Sequence, residues 1–282
     1  MKKVVLILSS FLIFSSCNEK TSSKTAYAET VSSSAGEKTA SPARQNSEIE
    51  KLAKTFGMMS QKCRDAIPNG NPEEFLADLH KVLDSEKDFS SADLSPFYLI
   101  DKAHTVGADY EPKNLVHLEK NDYFAINKNS LSLRPESYEA LKTLGAAAKN
   151  DGVTLTVSSS YRSYEYQENL FKYWVKVDGL EEAERESARA GTSQHQLGMA
   201  VDFAPVDDAF ADTVPGKWVY ANAAKYGWSL SFPQGYEDVT GYRWESWHFR
   251  YIGIPACEFQ KKWFGGVQQF MMEFLDAWKK ME

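Results

Sequence analysis

The chain has 282 residues, of which 43% are hydrophobic and 25% are charged, a composition typical of a globular protein. This length allows one sizeable domain with extensions, or two small domains. The formal net charge is −7 and no basic tract is present, which argues against a nucleic-acid partner on electrostatic grounds.

The first residues have the layout of a secretory signal. Lys2 and Lys3 precede a short apolar run over residues 4–14, which contains serines and is too short for a comfortable membrane span. The sequence Phe-Ser-Ser-Cys that ends at Cys17 resembles a bacterial lipobox. That resemblance implies a signal peptide over residues 1–16 and a lipid on Cys17, which would make the membrane a partner. The alternative is an ordinary signal peptide with an incidental cysteine.

Residues 17–47 are rich in Ser, Thr, Ala, Glu and Lys and contain little that could form a core. This composition predicts a disordered tether between the lipid and the folded part of the chain. The predicted location is therefore the bacterial cell envelope, lipid-anchored, on the periplasmic or another extracytoplasmic face.

Residues 48–95 show a helical pattern. Ile49, Leu52 and Phe56 fall on one helical face, and a second helix is expected to begin at Asn71 as N-cap with Pro72 at the first helical position. These helices carry no recognisable chemistry, so we expect a helical extension that packs on the main domain.

Cys63 and Cys257 are far apart in the sequence and lack the spacing of metal ligands. An exported protein permits a disulfide between them. Two free, packed thiols are an equally good interpretation.

Strands and helices are mixed in the region from residue 96 to residue 282. Helices are predicted at 135–149, after Ser163, at 181–190, at 218–226 and at 267–281, and strands at 153–157, 199–204, 228–232 and 244–252. No regular βαβ repeat or internal repeat is present. The pattern predicts an α+β domain with a small, mostly antiparallel sheet flanked by helices.

Two of the five histidines lie in segments that suggest a metal site. Zinc favours imidazole and carboxylate ligands, and a catalytic zinc keeps three protein ligands and one open position. His195, Asp202 and His248 would supply such a set in a cleft. For His195 and Asp202 to reach one ion, the loop between them must fold back, and Gly198 lets the backbone turn there. The other three histidines are interpreted as ordinary surface or core residues.

Glu245 lies three residues before His248. In a straight strand these two side chains would point to opposite faces, so the segment must bend or bulge, or Glu245 must approach from outside the ligand set. A carboxylate in that place can take a proton from the attacking water and return it to the leaving amine.

Several polar residues are candidates for contact with a substrate. Arg162 follows a predicted strand and precedes a helix, where it can grip a carboxylate or stabilise a tetrahedral oxyanion. Gln167 lies one turn into that helix, and Ser160 shares the segment of Arg162. Ser193 can donate a hydrogen bond to the substrate, and Trp247 is expected to line the pocket.

Three short motifs occur in an informative order. They are Ser-x-x-Tyr-Arg-Ser with a downstream Gln, Ser-x-His-x-x-Gly-x-Ala-x-Asp, and Glu-x-Trp-His. Together they resemble the VanY-like D-alanyl-D-alanine carboxypeptidases, zinc enzymes that trim peptidoglycan stem peptides. The resemblance extends from about residue 110 to the C-terminus. It implies Zn²⁺ as the cofactor, stem peptides as partners, and roles for five residues: His195, Asp202 and His248 as zinc ligands, Glu245 as general base, and Arg162 as the group that binds the substrate or transition state.

Two positions depart from the family pattern. Ser246 stands where the family often has Pro, and Ser231-Phe232-Pro233 stands where Arg-Tyr-Pro is often found. The missing arginine leaves the ligand set intact but puts the identity of the substrate in doubt.

The sequence therefore predicts a zinc metallopeptidase that removes the terminal D-alanine from stem peptides. Within the same class, the alternatives are an L,D-carboxypeptidase acting on tetrapeptide stems and an endopeptidase acting within cross-links. From another class, the alternative is a non-catalytic cell-wall-binding lipoprotein that retains the zinc fold. The sequence gives no indication of the oligomeric state.

Overall fold

The computed structural model describes residues 42–281, so the predicted signal peptide and Cys17 lie outside the described residues. The helices are α1 Pro42–Met58, α2 Gln61–Ala66, α3 Pro72–Ser85, α4 Pro135–Asn150, α5 Tyr164–Glu186, α6 Val214–Asn222, α7 Glu237–Thr240, α8 Ile254–Trp263 and α9 Gln268–Lys279. The strands are β1 Val116–His117, β2 Ala125–Ile126, β3 Ser132–Leu133, β4 Thr156–Ser159, β5 Ala200–Phe203, β6 Trp228–Leu230 and β7 His248–Tyr251.

Five of these strands form the main sheet, in the order β2-β4-β5-β7-β6. Strand β2 pairs with β4 in parallel, and the other three pairs are antiparallel. Strands β1 and β3 form a separate antiparallel pair. The prediction of an α+β fold with a small, mostly antiparallel sheet is confirmed.

One face of the sheet shares a hydrophobic core with α4 and α6. Leu141 and Leu144 of α4 and Val219 of α6 are fully buried there, together with Val201 and Phe203 of β5. The central strands β4, β5 and β7 are therefore held from behind, which fixes the position of the residues at their ends.

A second core joins the two ends of the described chain. Helices α1, α2 and α3 contribute Leu52, Cys63 and Phe75, which pack with side chains of α8 and α9. The aromatic rings of Phe75 and Phe274 lie 5.2 Å apart in an edge-to-face arrangement. Residues 48–95 thus pack against the C-terminal helices.

Helix α1 begins at Pro42, inside the segment predicted to be a tether. Pro is tolerated in the first turn of a helix, and Ala, Arg and Gln follow it, which are good helix formers. The helix that packs through Leu52 can therefore continue towards the N-terminus as far as Pro42. The second predicted start is confirmed, because the side chain of Asn71 accepts a hydrogen bond from the backbone N–H of Glu73 and Pro72 opens α3.

Two further boundaries differ from the predictions. Strand β7 begins at His248 rather than at residue 244, because residues 245–247 form a turn. Helix α5 and the predicted polar helix at 181–190 form one element that is broken at Gly179, whose φ of 84° is in the left-handed region.

Cys63 and Cys257 are both buried and free, which resolves the alternatives in favour of packed thiols. Burial raises the pKa of Cys63 to about 12, as expected for a thiol among apolar side chains. No helix within residues 42–281 combines the length and apolar character needed to cross a membrane.

Candidate metal and catalytic site

The sheet register places three residues of the site on neighbouring strands. Ser159 at the end of β4 pairs with Asp202 on β5, and Asp202 pairs with His248 on β7. Side chains of directly opposed residues lie about 5 Å apart. The backbone ladder therefore brings the carboxylate and one imidazole together.

The second imidazole comes from a short 3₁₀ turn, Gln194–Leu197, that leads into β5. The side chain of Ser193 caps this turn by accepting a hydrogen bond from the backbone N–H of His195. The turn ends at Gly198, whose φ is 68°. A side chain at Gly198 would also press on Arg134, whose Cγ lies 3.2 Å from the position of a Cβ. The loop thus folds back as the sequence requires.

His195, Asp202 and His248 form a group whose potential ligand atoms all lie within 4.8 Å of one another, and all three are buried. Nε2 of His195 lies 3.2 Å from Oδ2 of Asp202, and Nδ1 of His248 lies 3.0 Å from Oδ1. Three side chains with one remaining open direction match the pattern of a catalytic zinc site.

The second nitrogen of each imidazole is occupied from behind. Nδ1 of His195 lies 2.7 Å from the carbonyl oxygen of Ser160, and Nε2 of His248 lies 3.2 Å from Oε1 of Gln194. Because carbonyl oxygens only accept, both of these nitrogens are the protonated ones. With the protons held there, the nitrogens that face Asp202 are the ones that can present lone pairs to a metal ion.

This arrangement fits a bound cation. Among the residues that the structure describes, no hydrogen bond reaches the buried Oδ1 of Asp202. Burial acts to raise the pKa of Asp202, but the charge of Arg162, which donates to this carboxylate, opposes burial and holds the pKa well below its usual range. Burial, with the Arg162 charge, lowers the pKa of His195 to about 4. A carboxylate and two imidazoles converge, which is a donor set suited to a metal ion.

Glu245 reaches the same place from the turn before β7. Its Oε2 lies 3.5 Å from Nδ1 of His248, and the residue is only 8% exposed. The turn removes the problem of opposite strand faces, because Glu245 is not part of the strand. Burial raises the pKa of Glu245 well above its usual range, and the charge of Asp202 raises it further.

Arg162 lies beside the carboxylate of the ligand group. Its Nη2 donates to Oδ2 of Asp202 at 2.6 Å, its Nε donates to the hydroxyl of Ser159 at 2.9 Å, and its Nη1 donates to Oε1 of Gln167 at 3.3 Å. The side chain remains 19% exposed and lines the cleft. It can therefore donate towards a substrate while it stays fixed on Asp202.

The site opens into a cleft of about 680 Å³. Helix α5 supplies one wall through Tyr166, Leu170 and Trp174, which face the cleft. Besides Asp202, the acidic and basic residues that line it are Lys128, Arg162, Glu186, Asp207, Asp208, Arg243 and Glu245. The dimensions and mixed lining suit a short peptide with charged ends.

The structure separates the four predicted substrate contacts into two pairs. Ser193 and Trp247 line the cleft as predicted. Gln167 and Ser160 lie behind it instead: Gln167 is fully buried and donates to the carbonyl of Ala188, and the Ser160 hydroxyl accepts from the backbone N–H of Ser132. Their helix and strand turn them inward, so they support Arg162 and His195 rather than face a substrate.

Sequence reasoning missed Gln194, which occupies Nε2 of His248, and Ser159, which accepts from Arg162. Both were next to residues already singled out, so adjacency was the available signal. The aromatic wall of α5 was also missed as a cleft surface, because its residues alternate with polar ones as on any amphipathic helix.

The chain is similar to several known proteins. The family model described as VanY, D-alanyl-D-alanine carboxypeptidase, matches residues 130–254. A D-alanyl-D-alanine carboxypeptidase from Enterococcus faecalis is 30% identical over 196 residues, which covers 66% of this chain and 67% of that protein. This chain belongs to the VanY family. The YodJ carboxypeptidase of Bacillus subtilis is another relative, 37% identical over 166 residues that cover 57% of this chain and 61% of YodJ. The chain thus spans less than two thirds of that relative's length.

Two solved structures extend the comparison. The LdcB LD-carboxypeptidase is 33% identical, with a TM-score of 0.54, and the match covers 64% of this chain and 85% of LdcB. The D,D-pentapeptidase VanY from a VanB-type resistance cassette, solved with Zn(II), is 27% identical, with a TM-score of 0.53. The match covers 64% of this chain and 98% of that VanY chain. Membership of the VanY family confirms the predicted class, a metallopeptidase. The bound Zn(II) and the His/Asp/His group confirm Zn²⁺ as the cofactor.

Proposed function

We propose that this protein is a zinc-dependent D,D-carboxypeptidase that removes the terminal D-alanine from peptidoglycan stem peptides. One observation carries the proposal: a buried His/Asp/His group and a buried glutamate with a raised pKa open into the same peptide-sized cleft, in a chain of the VanY family. This combination is the one that metal-assisted hydrolysis of an amide needs.

His195, Asp202 and His248 are the residues that would hold the zinc ion. When bound, zinc supplies Lewis acidity that makes a water molecule more acidic and polarises a carbonyl group. The protein's own contribution is to orient the two imidazoles: Ser160 and Gln194 hold the second ring nitrogen of each, so that the nitrogens facing Asp202 are available to the metal.

Glu245 acts as the proton carrier. Its carboxylate accepts a proton from the attacking water as the water oxygen bonds to the carbonyl carbon of the scissile amide. It then delivers that proton to the nitrogen of the departing D-alanine as the C–N bond breaks. Burial and the neighbouring Asp202 raise the pKa of Glu245, so the acid form is stable enough to hold the proton between these two steps.

Arg162 orients the substrate. Its guanidinium is held in place by Asp202 and Ser159, and the exposed part faces the cleft. There it donates to the substrate carboxylate or to the oxygen that gains charge as the water attacks. Ser193 and Trp247 complete the lining next to the reacting bond.

The test uses defined stem peptides with the protein lacking residues 1–16, whose removal follows from the proposed signal cleavage. Incubation with a pentapeptide stem should release one D-alanine, a chelator should abolish release, and added zinc should restore it. Release that persists at full rate after complete removal of the metal would contradict the proposal.

An L,D-carboxypeptidase is the second candidate. LdcB, an LD-carboxypeptidase, is 33% identical to this chain, against 27% for the D,D-pentapeptidase VanY. The same residues would act on the bond one position further into the stem. A tetrapeptide stem in the same assay separates the two: release of D-alanine from the tetrapeptide but not from the pentapeptide would replace D,D by L,D specificity.

We also propose that the enzyme acts in the cell envelope, anchored by a lipid on Cys17 and joined to its folded part by the tether that begins there. The lipobox-like sequence supports this proposal, and the substrate class is consistent with it. Residues 48–95 would then act as a scaffold for the C-terminal helices. Labelling with a fatty-acid analogue should mark the native protein and not Cys17→Ser; equal labelling of both would exclude this anchor.

A further inference from the structure

A line of buried polar side chains runs away from the metal site on the side of His248. Gln194, Ser231 and Gln268 are 6%, 2% and 1% exposed, so each has been withdrawn from water. Buried amides and hydroxyls are costly unless they are hydrogen-bonded, so a continuous buried line has to be satisfied along its length.

The hydrogen bonds in this line have one direction. The Ser231 hydroxyl donates to Oε1 of Gln194 at 2.7 Å, and Nε2 of Gln194 lies 3.4 Å from Oε1 of Gln268. Nε2 of Gln268 in turn donates to the backbone carbonyl of Ser229 at 3.4 Å. A backbone carbonyl only accepts, so the amide of Gln268 has one orientation, and Gln268 imposes one orientation on Gln194.

The far end of the line is anchored on the C-terminal helices. Gln268 is the first residue of α9. The Ser229 hydroxyl donates to Oε1 of Gln260 in α8 at 2.9 Å, and Nε2 of Gln260 donates to the carbonyl of Gly266 at 2.6 Å. Gln260, Gly266 and Gln268 all lie beyond residues 130–254, the part that the family model matches.

We propose that Gln194, Ser231 and Gln268 form a relay that positions the imidazole of His248, so that helix α9 controls the zinc affinity of the site. The inference rests on the proposed function, because it assigns His248 as a zinc ligand. Gln194 is the link that contacts the ligand, and Ser231 and Gln268 are positioning residues that act through it.

The physical basis is the choice between the two ring nitrogens. While Oε1 of Gln194 faces Nε2 of His248, the proton stays on Nε2 and the lone pair stays on Nδ1, towards Asp202. If the amide rotates, its NH₂ group faces Nε2 and favours the opposite tautomer, which is unable to bind metal through Nδ1. Losing such a partner typically lowers metal affinity by about 10- to 100-fold.

Ser231 is also the position at which this chain departs from the Arg-Tyr-Pro pattern that is often found in the family. A hydroxyl fits between Gln194 and Gln268, with Ser231 Oγ also 3.4 Å from Oε1 of Gln268. Ser231 is 2% exposed, and an unpaired cationic side chain in so buried a position would be costly. The substitution thus removes a charge and closes the relay.

The first test compares two changes at Gln194 by zinc titration against a competing chelator. Gln194→Met keeps the size but removes the acceptor, and zinc affinity should fall by about 10- to 100-fold. Gln194→Glu keeps the acceptor for His248 and should retain most of the affinity. In ¹H–¹⁵N spectra of the zinc-loaded protein, the Nε2 proton of His248 should be visible in native protein and in Gln194→Glu, and exchange-broadened in Gln194→Met.

The second test asks whether Gln268 acts through Gln194. Gln268→Met should weaken zinc binding by less than Gln194→Met, and its effect should vanish when Gln194→Met is already present. A purely structural role of Gln268 predicts the same loss in both backgrounds, which would overturn the relay.

Gln196→Met is the matched control. Gln196 is a buried glutamine of the same 3₁₀ turn, but its amide donates to the carbonyls of Gly107 and Tyr110 and is not directed at a ligand. This variant should lose thermal stability while zinc affinity changes less than in Gln194→Met. Weakened zinc binding in the relay variants supports the relay whether or not a stem peptide is cleaved. Unchanged affinity in Gln194→Met overturns it even if cleavage occurs.

Discussion

The two sides of the cleft are built in opposite ways. On one side, His195, Asp202, Glu245 and His248 are each at most 8% exposed. On the other side, helix α5 faces the cleft with Tyr166, which is 53% exposed, and with the half-buried Leu170 and Trp174. The first side is held by paired strands and hydrogen bonds, whereas the second is the surface of a single helix.

This difference separates the chemistry from the selection of substrate. Reacting groups have to be held within a fraction of an ångström, and a backbone ladder in a packed core provides that precision. Exposed aromatic side chains can change rotamer at little cost, so they suit contacts with the variable parts of a ligand. We therefore expect changes on the buried side to affect turnover or metal binding, and changes on α5 to affect KM.

The largest effect is expected from His248→Ala. Removing one of three ligands should abolish zinc binding at stoichiometric metal and with it all hydrolysis, as measured by metal analysis and stem-peptide assay. His104→Ala is the control, because His104 pairs with Asp101 and its side chain is 40% exposed. A fully metal-loaded, active His248→Ala protein would remove the ligand assignment.

Glu245→Gln should lower kcat by about 10²- to 10⁴-fold, the range typical of a general acid–base, while zinc stays bound. The amide keeps the shape of the side chain but is unable to take up the proton of the water. Single-turnover assays on the zinc-loaded variant provide the measurement. Activity within threefold of the native level would show that the buried side does not supply the base.

Arg162→Lys should lower kcat/KM by about 10²-fold or more, because one ammonium replaces a fork that bonds Asp202 and Ser159 while it faces the substrate. Metal analysis should show full zinc occupancy. If kcat/KM is unchanged, Arg162 has only a structural part in holding Asp202.

The pH dependence of stability tests the buried side without a substrate. The pKa of His195 is lowered from 6.5 to about 4 in the folded metal-free protein. Between these two pH values the unfolded chain therefore binds a proton at His195 that the folded protein does not bind. The His195 contribution is complete above pH 6.5 and is lost as the pH falls towards 4, at a cost of about 3 kcal/mol. The raised pKa of Glu245 acts in the opposite sense and favours folding as the pH falls.

The two contributions should therefore be separable by mutation. In metal-free Glu245→Gln, the free energy of unfolding should fall between pH 6.5 and 4.5; in metal-free His195→Gln, it should rise. Urea unfolding in the presence of chelator measures both. Equal slopes in the two variants would show that neither group has the predicted environment.

Trp174→Ala should give the smallest effect. Trp174 is half-buried and lines the cleft from α5. Loss of its aromatic surface is expected to raise KM by about 5- to 30-fold, equivalent to roughly 1–2 kcal/mol, with little change in kcat. Val177→Ala, on the same helix and 52% exposed without lining the cleft, is the control. If Trp174→Ala lowers kcat as much as Glu245→Gln does, the proposed division of chemistry and substrate selection between the two sides of the cleft is wrong.

The sequence predicted the ligand group because its members lie in short motifs whose residue types match zinc chemistry. It also predicted that the segment of Glu245 must bend, but not that the bend is a turn before β7. It could not predict that Gln167 and Ser160 face inward, because side-chain direction at the end of a strand depends on register with a neighbouring strand.

Polar contacts between residues far apart in the sequence could not be predicted for a related reason. Gln194 and Gln268 are 74 residues apart, and no sequence pattern around either glutamine indicates a hydrogen-bond partner at that distance. Helix caps such as Asn71 were predictable, because their hydrogen bonds are local. The fold class was predictable from periodicity, whereas the extension of α1 back to Pro42 was not, since residues 45–48 are exposed or half-buried and give no apolar pattern.

The core shared by the first three helices and the last two has a consequence for the order in which the chain folds. While the protein is being synthesised, α1 and α3 can pack only on each other until α8 and α9 have been made. Closing so long a loop is entropically costly and slow. The growing chain therefore stays without its complete helical core until α9 is available, and truncation within α9 should leave the N-terminal helices exposed to proteases.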